Sequence, residues 1–138
     1  LMLNEIFKGM DNASEAIDDN FKNGSIVESG ENENGSYVKF GNGMQICWRR
    51  QSVTTDVNSS TGTVRVSDDL TWESPVAFSK EPITQISVTN GYSPAPFWEA
   101  VRNVTASRST YRIVTVWSAG FSSANFIINS TAIGRWKE

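Results

Sequence analysis

Residues 37–48 read YVKFGNGMQICW, two short strand-like runs that flank Gly41-Asn42-Gly43. Glycine and asparagine accept the positive φ angles that tight hairpin turns require. Successive side chains of a strand point to opposite faces, so Met44, Ile46 and Trp48 share one face of the second run. The stretch therefore predicts an antiparallel β-hairpin.

The chain after this hairpin continues with strand patterns separated by polar turns. The predicted strands cover residues 63–66, 70–78, 83–89, 98–106, 109–117 and 125–136, with a polar turn at 56–62 and a loop at 90–97. Pro75 indicates an edge or irregular strand, because proline cannot donate a backbone hydrogen bond. Apolar residues on both faces of 109–117 predict that one face meets the core and the other a neighbouring subunit. We expect a mainly β fold, an antiparallel β-sandwich.

The N-terminal segment has a helical period instead. Apolar residues recur at spacings of three and four: Leu3, Ile6, Met10, Ala13 and Ile17. This seam predicts an amphipathic helix, which Asn23-Gly24 would end. A lone helix cannot bury its seam, so it lies either on its own β domain or on other copies of the chain. We interpret residues 1–22 as a helical coiled-coil stalk, 23–36 as a linker and 37–138 as a β-sandwich head.

The composition excludes several classes of site. The chain has 138 residues, no histidine and one cysteine, Cys47. Without histidine, Ser-His-Asp and Cys-His catalytic units and His-based zinc sites are excluded, and one cysteine allows no internal disulfide. Cys47 lies in an apolar strand pattern, so we expect it to be a buried small hydrophobe. We expect no cofactor.

Charge and hydropathy also limit the partners. No apolar run approaches 18 residues, and no dense basic run is interleaved with aromatics, so neither membrane insertion nor nucleic-acid binding is expected. The net charge is −3, yet residues 35–138 hold ten Lys and Arg against seven Asp and Glu. A mildly basic head can favour an acidic cell-surface polymer, although scattered solvated charge is the simpler interpretation.

Aromatic and cationic residues concentrate between Gly91 and Arg112. Aromatic faces stack on sugar rings, and arginines bond the hydroxyls, in shallow sites that often lie in loops. The candidate carbohydrate-binding residues are Tyr92, Phe97, Trp98, Arg102, Arg108 and Tyr111. Packing in the core or at an interface is the alternative for the aromatic members, since large aromatics mostly serve apolar burial.

Other conspicuous residues have a structural interpretation. Four tryptophans lie in strand patterns and are expected in the core: Trp48, Trp72, Trp117 and Trp136. Arg49-Arg50 is expected to pair between subunits or to be solvated, with an anionic ligand as the alternative. Asp68-Asp69 with Glu73, like the acids of residues 28–33, lacks EF-hand spacing, so we expect solvated acids and no metal site.

Two blocks of the sequence carry distinctive motifs. The first is residues 31–49, ENENGSYVKFGNGMQICWR, with an aromatic strand, a glycine-bounded turn and a Q-I-C-W strand. The second is residues 72–82, WESPVAFSKEP, which the terminal A-I-G-R-W of residues 132–136 completes. Together they resemble the C-terminal domains of bacteriophage tail fibres. Residues 5–21 are also similar to a segment that precedes such domains in phages of Gram-positive hosts.

The resemblance implies an H-type lectin fold, a small antiparallel β-sandwich that assembles as a homotrimer at the tip of a tail fibre. It further implies an adhesin of the virion, made in the host bacterial cytoplasm, that binds a bacterial cell-surface glycan or wall polymer. The sugar-binding residues of H-type lectins do not align here, and none is carried over. One alternative is a structural trimerisation cap. Another is a polysaccharide-degrading enzyme, which needs paired carboxylates in a cleft; no pair stands out, so we expect no catalysis.

Overall fold

The structure, a computed structural model, describes residues 24–90 and 95–138. These residues form ten β-strands: β1 (Ile26–Asn32), β2 (Gly35–Phe40), β3 (Met44–Val57), β4 (Ser59–Thr61), β5 (Val64–Val66), β6 (Leu70–Glu73), β7 (Ile83–Thr89), β8 (Phe97–Val104), β9 (Arg108–Thr115) and β10 (Phe121–Arg135). The predicted mainly β fold is confirmed. The predicted helical stalk lies outside the described residues.

The strands form two antiparallel sheets. The first has the order β1-β2-β3-β10-β7, and in the second β9 is the central strand, with β8 on one edge and β6 and β5 on the other. Residues of both sheets meet in one hydrophobic cluster, Ile86 and Phe126 from the first sheet and Tyr111 and Ile113 from the second. The sheets therefore pack face to face as a sandwich.

The predicted hairpin is present as β2 and β3, with Tyr37 opposite Cys47. Gly43 adopts a φ of 97°, and the Met44 amide donates a hydrogen bond to Asn42 Oδ1 over 3.0 Å. These are the conformations for which glycine and asparagine suit a turn. The strand predicted at 83–89 coincides with β7.

The predicted linker at 23–36 is wrong for most of its length. It contains β1 and the start of β2, which pair from Ile26 opposite Phe40 to Asn32 opposite Gly35. Acids and glycines made this segment resemble a linker, but an edge strand needs only one backbone ladder and tolerates polar residues on both faces. Similarly, the polar turn predicted at 56–62 contains the end of β3 and all of β4.

The core consists of two hydrophobic clusters. One contains Val57, Ile86, Tyr111, Ile113, Phe126 and Ile128, and the other Cys47, Trp72, Phe78 and Ala132. Cys47 is fully buried, as predicted. On β3, two polar residues, Arg49 and Gln51, lie on the same face between Cys47 and Val53, and they separate the two clusters.

Two tryptophans predicted in the core are instead exposed. Trp72 is buried and Trp136 is half-buried, but Trp48 and Trp117 are 44% and 45% exposed. Alternation identified the two faces of β3 without deciding which one is inside. The small Cys47 faces inward because the bulky Trp72 packs on that side, and this places Trp48 outside.

The outer face of the first sheet carries an apolar row. In consecutive strands Ile83, Ile133, Ile46 and Val38 lie directly opposite one another. Ile83 at the end of this apolar row is 77% exposed. Trp48 follows Ile46 on the same face, opposite the polar residues Thr131 and Ser36.

Candidate functional site

Of the predicted site residues, Tyr111 lies in the core and the partly buried Phe97 packs against it. Phe97 packs edge-on against Phe126, with ring centroids 4.8 Å apart, and its ring centroid is 5.1 Å from that of Phe121. Tyr111 is 1% exposed. Both side chains contribute to apolar packing, as the packing alternative for these aromatics expects, and Tyr111 presents almost no surface to an external ligand. Tyr92 lies outside the described residues.

Trp98 and two predicted arginines lie on the surface of the second sheet. Trp98 is 39% exposed and lies opposite Val114 of β9. The guanidinium of Arg102 donates to Asp69 Oδ1 over 2.8 Å, and Arg108 lies 3.5 Å from a Glu73 carboxylate oxygen. Two of the acids predicted to be solvated, Asp69 and Glu73, are therefore ion-paired. The two arginines predicted to bind a ligand already have these carboxylates as partners.

Asp69 is the centre of this arrangement. Its Oδ1 accepts hydrogen bonds from both Arg112 Nε and Arg102 Nη1, each over 2.8 Å. The bond from Arg112, followed by that from Arg102, lowers the pKa of Asp69. The cations are thus held in place by their own sheet rather than left open for a ligand.

A concave site that the sequence did not predict lies beside the tip of the β1–β2 hairpin. We call it the hairpin notch. Its volume is about 430 Å³, and it is lined by Glu31, Asn32, Glu33, Gly35, Ser36, Trp48, Arg49, Arg50 and Gln51. An adjoining hollow of about 320 Å³ shares Glu31, Ser36 and Trp48 with it.

The notch combines an open aromatic face with groups that bond hydroxyls. Glu31, Ser36 and Trp48 are neighbours across β1, β2 and β3. An indole face can stack on the apolar face of a sugar ring, while carboxylates, amides and guanidinium groups bond the ring hydroxyls. In the sequence, Trp48 lies close to acids and arginines within residues 31–51, a combination that is compatible with sugar binding. Trp48 was expected in the core, so this combination did not lead to a predicted site.

Hydrogen bonds fix the hairpin tip that forms one wall of the notch. The Trp72 indole donates to the Asn34 carbonyl over 2.8 Å, and the Asn32 side-chain amide donates to the Pro75 carbonyl over 2.8 Å. The Asn34 amide in turn donates to Asn32 Oδ1 over 2.9 Å. A site held in this way needs little reorganisation when a ligand binds.

Gly35 lets β2 begin close to β3. Its φ is 128°, and an added Cβ would collide with the carbonyl oxygen of Trp48. Only glycine fits such a backbone conformation and such a close approach without strain. The shape of the notch next to Trp48 therefore depends on this residue.

Arg49 is a partly buried cation of the notch. Its Nε is buried and has no hydrogen-bond partner among the described residues. Desolvation lowers the pKa of the Arg49 guanidinium, and the nearby Tyr111 opposes this change. Arginine stays charged in proteins, so the notch contains a positive charge that lacks an acceptor at one nitrogen.

Neither a metal centre nor a membrane-spanning helix is found in the described part of the chain. Residues 24–90 and 95–138 contain no group of three or more Cys, Asp or Glu side chains placed to hold a metal ion. Over the same residues, no helix has the length and apolar character needed to cross a bilayer.

Two solved structures share the fold. The C-terminal part of the R1 pyocin fibre of P. aeruginosa matches with a TM-score of 0.50 and 20% identity, covering 78% of this chain and 28% of that chain. An N-truncated R1-type pyocin tail fibre matches with a TM-score of 0.50 and 19% identity, covering 78% of this chain and 86% of that chain.

The chain thus corresponds to 28% of the first structure, and identities of 20% and 19% establish the fold alone. No protein-family model and no curated protein sequence matches the chain. The resemblance to a tail-fibre C-terminal domain, predicted from residues 31–49 and 72–82, is confirmed at the level of the fold. The chain has the fold of a pyocin tail-fibre fragment.

Proposed function

We propose that the chain is the receptor-binding part of a tail fibre, an adhesin at the fibre tip of a virion or phage-like particle. Its ligand is a carbohydrate polymer of the bacterial cell surface. The observation that carries this proposal is the half-exposed Trp48 at the edge of a notch with a fixed wall. The fold shared with the pyocin tail fibre supports the same assignment.

The hairpin notch has free polar groups where a sugar would need them. The side chains of Glu31, Glu33, Arg50 and Gln51 line it and have no hydrogen bond or ion pair with the described residues. They can therefore bond hydroxyls without breaking an internal contact. In contrast, Arg102 and Arg108 of the second sheet would first have to leave Asp69 and Glu73.

We also propose that the protein acts as a homotrimer. The apolar row of the first sheet supports this, because isolated exposed apolar residues are ordinary whereas four in register form a patch suited to another copy. The next residue of β3 on the same face after Ile46 is Trp48, and the notch begins there. If copies pack against one another through the apolar row, the notch therefore lies at the edge of the interface. Three shallow sites on one tip would gain avidity from effective concentration.

The proposed activity is binding without turnover. Glu31 and Glu33 both line the notch, and the alternative of a polysaccharide-degrading enzyme would require a pair of carboxylates in a cleft. The binding assay should therefore also measure release of reducing ends. If reducing ends are released, and if Glu31→Gln or Glu33→Gln abolishes this release, the protein is an enzyme and the proposal of binding without turnover is wrong.

The test compares two exposed tryptophans on opposite sheets. The full chain, Trp48→Ala and Trp98→Ala are incubated with immobilised lipopolysaccharides, teichoic acids and capsular polysaccharides, and unfolding is monitored in parallel. We expect Trp48→Ala to lose binding, because stacking on the indole supplies much of the contact, and Trp98→Ala to retain it. The opposite result moves the site to the second sheet. Lack of binding to every polymer contradicts the adhesin and favours the structural cap.

A further inference from the structure

We infer that Arg49 binds an anionic group, a carboxylate or a phosphate, carried by the saccharide in the hairpin notch. The inference rests on the proposed function, since it names the class of carbohydrate that the notch takes. According to this inference, the partly buried guanidinium of Arg49 is the group that distinguishes acidic from neutral polymers.

The comparison among arginines carries the inference. Four arginines are partly buried: Arg49, Arg65, Arg112 and Arg135. Arg65 and Arg135 each donate to two backbone carbonyls, and Arg112 donates to Asp69. Arg49 alone of the four has a buried nitrogen without an acceptor. The other three partly buried arginines donate to carbonyl or carboxylate oxygens, and Arg49 differs from them because its buried Nε has no such acceptor among the described residues.

No carboxylate of the described residues lies within ion-pairing distance of Arg49 to compensate its charge. Ser130, directly opposite on β10, has a buried hydroxyl that likewise lacks a partner. A buried cation without a counter-charge is costly, and Arg49 lines the notch, from which an anion can enter.

The chemistry of the side chain fixes the class of ligand. A guanidinium binds carboxylate and phosphate through two parallel hydrogen bonds, which are stronger than bonds to neutral hydroxyls. Glu31 and Glu33, both exposed, line the same notch and repel a densely charged polyanion. The arrangement therefore suits a sugar with one acidic group, with that group at Arg49 and neutral hydroxyls toward the glutamates.

The direct test follows the Arg49 Nε–Hε signal by NMR in the full chain. The probes are glucuronate, glucose and inorganic phosphate, added separately at matched ionic strength. We expect a saturable shift with glucuronate and none with glucose, with a shift of the Trp48 indole signal under glucuronate only. A shift with phosphate but not with glucuronate would show that the anionic group bound by Arg49 is a phosphate. No shift with either anion, or an equal shift with glucose, overturns the inference.

A matched pair of variants adds a second readout. Arg49→Met keeps the buried aliphatic stem and removes the charge, whereas Arg50→Met removes a charge at the exposed neighbour in the same notch. We expect Arg49→Met to abolish a preference of about tenfold for an acidic oligosaccharide over its carboxyl-reduced form, because bonds to charged groups are the stronger ones. Arg50→Met, which loses a group proposed to bond hydroxyls, should weaken binding of both oligosaccharides alike and retain that preference.

The two proposals fail in different ways. If cell-surface polysaccharides bind but the Arg49 signal does not move with either anion, the receptor-binding role stands and the role of Arg49 is wrong. If glucuronate shifts Arg49 but no polysaccharide binds, the anion site stands and the adhesin is wrong. The wild-type spectrum decides even if Arg49→Met fails to fold.

Discussion

Ser130 lies directly opposite Arg49 in the ladder between β10 and β3, and each carries a buried polar atom without a hydrogen-bond partner among the described residues. The two side chains face inward between the hydrophobic clusters of the sandwich. Unpaired buried polar groups lower stability. The centre of this sandwich is therefore less favourable for folding than the clusters on either side of it.

Replacing Ser130 tests this directly, with Ser67 as the matched control. Both serines are 2% exposed, but Ser67 Oγ accepts from the Ile113 amide and donates to the Asp68 carbonyl, each over 2.9 Å. We expect Ser67→Ala to lower the free energy of unfolding by about 1–3 kcal/mol and Ser130→Ala to leave it unchanged or higher. Urea unfolding measures both. An equal loss in Ser130→Ala would mean that its hydroxyl is bonded.

Two glycines with positive φ provide a second matched pair. At Gly62 an added Cβ meets nothing within 4 Å, whereas at Gly35 it collides with the Trp48 carbonyl. We expect Gly62→Ala to cost about 1–2 kcal/mol from backbone strain alone, and Gly35→Ala to cost clearly more and to alter the notch. Thermal unfolding gives the stabilities, and the Trp48 indole NMR signal reports the notch. Equal costs would show that β2 can move away from Trp48.

The ion pairs of Asp69 predict a dependence of stability on acid. Hydrogen bonds from Arg112 and Arg102 hold the pKa of Asp69 below its ordinary value of 3.8. A carboxyl group with a pKa that is lower in the folded state stabilises the fold above its unfolded pKa, and this contribution is lost as pH falls through the folded pKa. We expect wild type to be more stable than Asp69→Asn at pH 7, with the difference disappearing in acid.

The control for this experiment is the neighbour Asp68, which is exposed and has no ion pair with the described residues. Asp68→Asn should not reproduce the acid-dependent difference. A carboxyl NMR titration that places the pKa of Asp69 at or above 3.8 would contradict the prediction.

Cys47 should be unreactive in the folded protein. Burial raises the pKa of its thiol to about 11, and the thiolate is the reactive form. At pH 8 we expect negligible reaction with a disulfide reagent such as DTNB in native buffer and one reacting thiol per chain in denaturant. Fast labelling of native protein would show that the second core cluster opens readily.

The apolar row predicts the position of the subunit interface. Ile83→Lys places a charge in the row, whereas Ser87→Lys places the same charge on the same face of β7, opposite Asn129. Light scattering should give a trimer for wild type and Ser87→Lys and a smaller species for Ile83→Lys, because a buried lysine at an apolar interface is costly. A folded monomer for wild type would rule out this interface.

Alternation and turn residues were sufficient to locate much of the fold. The period of two in residues 83–89 and the glycines around Asn42 correspond to β7 and to the β2–β3 turn. Both patterns are local, so they can be recognised without knowledge of the tertiary structure. In contrast, β1 has few apolar residues and forms through pairing with β2, which no local pattern records.

The candidate site was harder to predict for the same reason. Trp48 and Cys47 alternate on β3, and hydrophobicity alone places the tryptophan inside. The position of Trp72 above Cys47 determines the opposite orientation. Phe97 and Tyr111 were predicted to bind a carbohydrate, with packing as the alternative. Their burial depends on the packing of the two sheets, which brings Phe126 against Phe97, and this packing is not visible in a local pattern.

The hydrogen bonds that anchor the hairpin tip use Asn32, Asn34 and Trp72. None of them uses Glu31, Glu33, Arg50 or Gln51, the open side chains around the same depression. Exposed residues without internal contacts usually tolerate exchange within about 0.5 kcal/mol. Selection can therefore rewrite what this surface recognises, one position at a time, while the scaffold that presents it stays intact.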